Sequence, residues 1–115
     1  MMALKFFKES EFACPCCGVS EMDIEVKKKI DFIRERLGIP LHLNSAYRCS
    51  AHNREVNGKN SSYHLQGKAL DVSTANMTAE KRREFLELVL TQFWGVGIDK
   101  TFIHCDMGPP RFWVY

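Results

Sequence analysis

The segment SSYHLQGKALDVS, residues 61–73, places His64, Gly67 and Asp71 close together and sets Asp71 inside an apolar run. An ionised carboxylate leaves water only at high cost unless something cationic meets it. That cation is either a side chain, with Arg48 or a lysine available, or a metal ion. KALDVS (68–73) reads as a strand and Gly67 as the turn before it, so the chain can fold His64 back toward Asp71.

Outward from this segment the pattern is mixed. Met22, Val26, Ile30, Ile33 and Leu37 follow helical spacing over 21–37, with Gly38 as terminator and Pro40 preventing resumption. LHLNSAY (41–47) alternates as a strand, and SAHNREVNG is a short helix or turn closed by Gly58. Thr78 caps a predicted helix running to about Trp94, with Phe85, Val89 and Phe93 on one face and Gly95 as terminator. TFIHCD (101–106) is a third strand, entered through GVGIDKT (95–101), which reads as a loop, and RFWVY, after Pro109 and Pro110, is a fourth. Helices and strands without regular βαβ alternation predict an α+β fold over residues 1–115, one domain with an antiparallel sheet flanked by helices.

The chain has 115 residues, 45% hydrophobic and 26% charged, enough to bury a core. A net charge of +2, with no basic stripe, argues against a nucleic-acid partner. The N-terminal MMALKFFKESEF is broken by charges and lacks the continuous apolar core of a secretory signal, and no run is long enough to span a membrane. Synthesis in the cytoplasm as a monomer is the expectation; a target outside the cell would require release by another agent.

His64, Asp71 and His104 are the candidate metal ligands. Zinc in hydrolytic sites takes three protein ligands from His, Asp and Glu and keeps one position open. On the strand at 101–106, period two puts Phe102, His104 and Asp106 on one face and Ile103 on the other. Two ligands near in sequence and a third from a separate strand would make a rigid site. Taken singly, a strand histidine is more often a packed or solvated residue.

The joint pattern is more specific. Ser62, His64, Gly67, Ala69 and Asp71 form S-x-H-x-x-G-x-A-x-D, which resembles the zinc D-alanyl-D-alanine carboxypeptidases. That family includes the L-alanyl-D-glutamate endopeptidases of phage lysis systems and shares its fold with the hedgehog signalling domain. SAYRCSAHN (45–53) and FIHCDMG (102–108) are similar to two further family segments, and FACPCCG is similar to the opening of small phage and prophage members. The resemblance implies that His64, Asp71 and His104 bind Zn2+, that Arg48 holds substrate and stabilises the charged oxygen of the transition state, and that Ser62 anchors substrate. It also implies a peptidoglycan peptide as substrate, cut next to a D-amino acid. Better-known relatives carry an acid three residues before the last histidine ligand, where this chain has Thr101. Asp99 is therefore the candidate general base, with Asp106 able to orient His104 and His52 able to contact substrate or transfer a proton. A catalytically inactive zinc-binding recognition domain of the same fold is the alternative that Thr101 leaves open. Asn57 is a second departure, in a loop where the family often has a glycine pair.

The five cysteines cannot all pair. Cys14, Cys16 and Cys17, with Cys49, could form a second structural metal site, or one of them a disulfide with Cys49, or all could remain thiols. Taken as C-x-C-C, the run departs from the usual C-x-x-C knuckle. Cys105 alternates away from His104 and is expected in the core. Phe112, Trp113 and Tyr115 could line a groove, although such residues more often close the core of a small domain.

Overall fold

Alternation in neighbouring strands divides the molecule into an apolar side and a polar side. The computed structural model describes residues 4–56 and 62–115. A 3-10 turn at Glu9–Phe12 precedes helix α1 (Ile24–Leu37), strand β1 (Leu43–Ser45), short helix α2 (Ser50–Glu55), β2 (Ala69–Ser73), α3 (Ala79–Gln92), β3 (Gly95–Ile98), β4 (Phe102–Asp106) and β5 (Arg111–Val114). The strands form one sheet in the order β1-β2-β4-β3-β5. All pairs are antiparallel except β3 with β5, which is parallel. The class is α+β, as the element pattern predicts.

Leu70 and Val72 of β2, Val96 of β3, and Ile103 and Cys105 of β4 are buried in one cluster with Val26, Ile30, Ile33 and Leu37 of α1 and Phe85 and Val89 of α3. Each fully buried side chain of this size contributes roughly 1.5–3 kcal/mol. The intervening residues Asp71, His104 and Asp106 therefore face away from the helices. Cys105 lies in the core, as its alternation requires.

Both long helices end where their local chemistry dictates. The Asp23 side chain accepts from Glu25 N–H at 2.8 Å at the start of α1, and Gly38 (φ 78°) closes it, its N–H donating to Arg34 O. Thr78 Oγ1 accepts from Lys81 N–H at 3.1 Å at the start of α3. Lys81 Nζ then donates to Leu37 O at 3.0 Å, so α3 also satisfies a terminal carbonyl of α1.

Several boundaries differ from the sequence expectation. GVGI is a strand rather than a loop: Val96 and Ile103 share the core, while Gly95 and Gly97 stand opposite Asp106 and His104. Two glycines in four residues suppress any propensity signal for strand, yet they make room on the polar face. A Cβ at Gly97 would strike the Trp113 indole, and one at Gly95 the Asp106 carboxylate and the Arg111 guanidinium. α3 stops at Gln92, with extended Phe93 as its cap, ahead of the expected Gly95. β1 is shorter than the run 41–47, and its pairing with β2 shifts register between Leu43 and Ser45. The buried plug Phe12 sits on a 3-10 turn with no sequence signal of its own. Gly58 and Asn57 lie outside the described residues.

Gly67 ties the polar face together. It has φ 67°, its N–H donates to His64 O at 3.2 Å, and its carbonyl accepts from Asp23 N–H at 2.9 Å. A Cβ there would collide with the Glu21 carbonyl. Gly67→Ala should cost at least about 1–2 kcal/mol from the left-handed conformation alone, with the backbone collision added. An unchanged denaturation midpoint would contradict this account.

Candidate metal centre

The donor atoms of His64, Asp71 and His104 lie within 4.8 Å of one another. β2 and β4 pair so that Asp71 stands directly opposite His104, while the turn at 63–67 carries His64 over them. His64 is 2% exposed. Its Nδ1 is 2.8 Å from Ala46 O. A carbonyl can only accept, so Nδ1 carries the proton and Nε2 presents a lone pair. That Nε2 is buried without a hydrogen-bond partner among the described residues and is 3.3 Å from Asp71 Oδ2. A lone pair facing a carboxylate is repulsive unless a cation lies between them.

His104 is gripped from both sides, by Asp71 Oδ1 at 2.8 Å on Nδ1 and by Asp106 Oδ2 at 2.7 Å on Nε2. Burial alone would lower its pKa, but the bonds to Asp106 and Asp71 outweigh it and raise the imidazole to about 8. Burial would raise Asp71; the bond from His104 instead holds it well below the usual carboxylate range. Its direct partners are thus the two imidazoles, with neither Arg48 nor a lysine in contact among the described bonds.

Asp106 is fully buried and fully engaged. Besides His104 it accepts from Gly108 N–H at 2.9 Å and from Arg111 Nη2 at 2.8 Å. It thereby fixes the ring plane and tautomer of His104 from behind, as carboxylates do for metal-bound histidines. The donor set, the orphaned Nε2 and this support fit a zinc ion held by His64, Asp71 and His104.

Arg48 lies beside this cluster. It lines a cleft of about 250 Å³ together with Asn44, Ser45, Val56, Asp71 and Phe102. Its N–H donates to His64 O at 3.1 Å and its Nη2 to Ser62 Oγ at 3.3 Å. Ser62 Oγ also accepts from His64 N–H at 3.2 Å, so Ser62 braces both residues. Arg48 Nε is buried without a partner among the described residues. Asp99 occupies the turn between β3 and β4, where its Oδ2 accepts from Thr101 N–H at 3.2 Å and Thr101 Oγ1 at 3.3 Å. The bond from Asp99 N–H to Phe102 O, one pair beyond Ile98 and Ile103, puts it on the His104 side of the sheet. His52 lies in α2, but its side chain is outside the described part.

Sequence reasoning left out two ring contacts. The Trp113 ring packs against His104 with centroids 5.3 Å apart, and Tyr115 against Phe102 at the same separation. The signal was period two in RFWVY, which puts Arg111, Trp113 and Tyr115 on one face. The pairing of Gly97 with Trp113 makes that face the one bearing the site.

Two imidazoles and one carboxylate, set beside a cleft with an underused guanidinium, are the equipment of a zinc hydrolase; structural zinc knuckles rely on thiolates. Comparison with protein families agrees with that class. A family model described as Peptidase M15 matches residues 5–106, and the chain belongs to the M15 peptidases, a zinc-dependent metallopeptidase family of the D-Ala-D-Ala carboxypeptidase type. No curated protein gives a significant match. Among the described residues no helix is long and apolar enough to cross a membrane.

His64→Ala, Asp71→Ala and His104→Ala should each remove most of the zinc bound at this centre, measured by metal analysis beside wild type; retention in all three would dismiss the assignment. Zinc must also displace the proton on His104. Affinity should therefore weaken as pH falls below about 8, by about tenfold per pH unit for one displaced proton. Equal affinity at pH 6.5 and 8.5 in a competition titration would rule out that exchange.

Proposed function

We propose that the protein hydrolyses a peptide bond next to a D-amino acid in the stem peptides of bacterial peptidoglycan, as a D-Ala-D-Ala carboxypeptidase or an L-Ala-D-Glu endopeptidase. Phage or prophage lysis, or wall remodelling, is the setting that the resemblance of its motifs suggests. The observation that carries the reading is the proximity of the three-ligand cluster to Arg48 in one cleft.

Zinc, when bound, would polarise the scissile carbonyl and bring the pKa of water toward about 7. The remaining roles fall to the chain itself. Arg48, anchored by Ser62 and by the His64 carbonyl, has a buried Nε with hydrogen-bonding capacity to spare. It is suited to hold a peptide carboxylate or to meet the oxyanion that develops during attack. Ser62 can donate its hydroxyl proton to the same substrate carboxylate, and His52 would contact the peptide from α2.

Asp99 is proposed as the proton carrier, taking a proton from the attacking water and passing it to the leaving amine. Thr101, at the position where relatives carry an acid, would orient this carboxylate through its N–H and hydroxyl.

Purified peptidoglycan or a muropeptide, incubated with zinc-loaded protein, should release new amino groups. An intact substrate with zinc at full occupancy would favour a recognition domain. Arg48→Ala should retain zinc and lose roughly 10²–10³-fold in turnover. Asp99→Asn should keep fold and metal and lose roughly 10²–10⁴-fold. Wild-type turnover in either variant would remove that residue from the mechanism.

A further inference from the structure

A second cluster lies outside the centre just described. Cys14, Cys16, Cys17 and Cys49 place one sulfur each within 4.8 Å of all the others. Sγ separations are 3.0 Å for Cys16 and Cys49, 3.5 Å for Cys14 and Cys16, and 3.6 Å for Cys14 and Cys49. All exceed the roughly 2.05 Å of a disulfide bond. Four sulfurs on one ion at about 2.3 Å would stand roughly 3.8 Å apart at the corners of a tetrahedron. The observed cluster is close to that size and too tight to enclose a multi-iron cage.

The backbone supports the same reading. Cys14 and Cys17 are separated by two residues and followed by Gly18 at φ 73°. The run thus contains the C-x-x-C knuckle spacing that the C-x-C-C description passes over. Gly18 N–H donates to Cys14 O, and Cys14 N–H to Val19 O, both at 2.8 Å, which curls the knuckle around its sulfurs. Cys49 N–H points at Cys14 Sγ at 3.4 Å. Amide donors aimed at sulfur stabilise thiolates, the form that binds metal. A disulfide would use two of the four sulfurs and leave this convergence unexplained.

We propose that Cys14, Cys16, Cys17 and Cys49 form a structural tetrathiolate site for a single Zn2+ ion, separate from the His64–Asp71–His104 centre. Four thiolates in tetrahedral disposition, with no open position, select zinc for structure rather than catalysis. The site joins the knuckle to the residue that directly follows Arg48. With the bond from Tyr47 N–H to Phe12 O at 3.2 Å, it would clamp the N-terminal segment to the chain that presents the guanidinium.

The test uses the full chain, purified under reducing conditions and reconstituted with Co2+. Thiolate ligands give an intense sulfur-to-cobalt charge-transfer band in the near ultraviolet, which a His/Asp site cannot produce. The band should appear in wild type, persist in His64→Ala and vanish in the double variant Cys16→Ser/Cys49→Ser. Zinc content should fall from about two ions per chain to about one in the double variant. Cys16 is exposed, so Cys16→Ser alone provides a variant whose folding is readily kept; it should weaken Co2+ binding and shift the band. Absence of the band from folded, reduced wild type, its survival in the double variant, or a disulfide found by mass spectrometry in place of metal would overturn the proposal. None of these readouts depends on peptidase activity.

Discussion

The register that sets Asp71 opposite His104 across β2 and β4 governs both faces of the sheet. In that register Leu70, Val72, Ile103 and Cys105 enter the core, and the charged residues between them converge on the other side. A slip of one residue would exchange the faces, driving Asp71, His104 and Asp106 beneath α1 and α3. Core packing and site assembly are therefore a single constraint. The apolar residues hold the candidate ligands on the polar face by making a one-residue slip too costly.

The same constraint explains the electrostatic layering of the polar face. Asp106 has no access to water, and its charge is tolerated because His104, Arg111 and the Gly108 amide surround it. Asp71, one layer nearer the cleft, is met by two imidazoles in the ion pairs among the described residues. One of these, His64, turns a lone pair rather than a proton toward it. The cationic partner that an aspartate in an apolar run demands is thus supplied in full behind His104 and incompletely in front of it. The front is where the proposed divalent ion would complete the balance.

The convergence of the three candidate ligands, their turn and their separate strands were legible because a spacing motif and period two survive in a single sequence. β3 was not, because its glycines serve neighbours rather than the strand itself. Gly97 admits the Trp113 ring and Gly95 admits the Asp106–Arg111 pair, and neither need leaves a mark in propensity. Trp113 and Tyr115 escaped for a related reason. Their face is set by the parallel pairing of β5 with β3, a long-range choice that alternation within RFWVY cannot reveal. For Asp99, the turn was legible; the grip of Thr101 on its carboxylate and its place opposite Phe102 required the hairpin register.

Arg48 connects the two clusters. Its guanidinium rests on Ser62, its amide on the His64 carbonyl, and its successor Cys49 among the sulfurs of the knuckle. A long cationic side chain loses roughly 1.5–2 kcal/mol of conformational freedom when fixed, so the role proposed for Arg48, waiting in one orientation for an anionic transition state, needs a backbone held by something other than substrate. β1 offers little for this purpose: it is three residues long and its pairing is irregular. α2, immediately after Cys49, spans only six residues. The bonds to His64 and Ser62 on one side and the metal proposed at the cysteine knuckle on the other would supply the rigidity that these short elements lack. On this view the N-terminal segment is part of the machinery that aims Arg48.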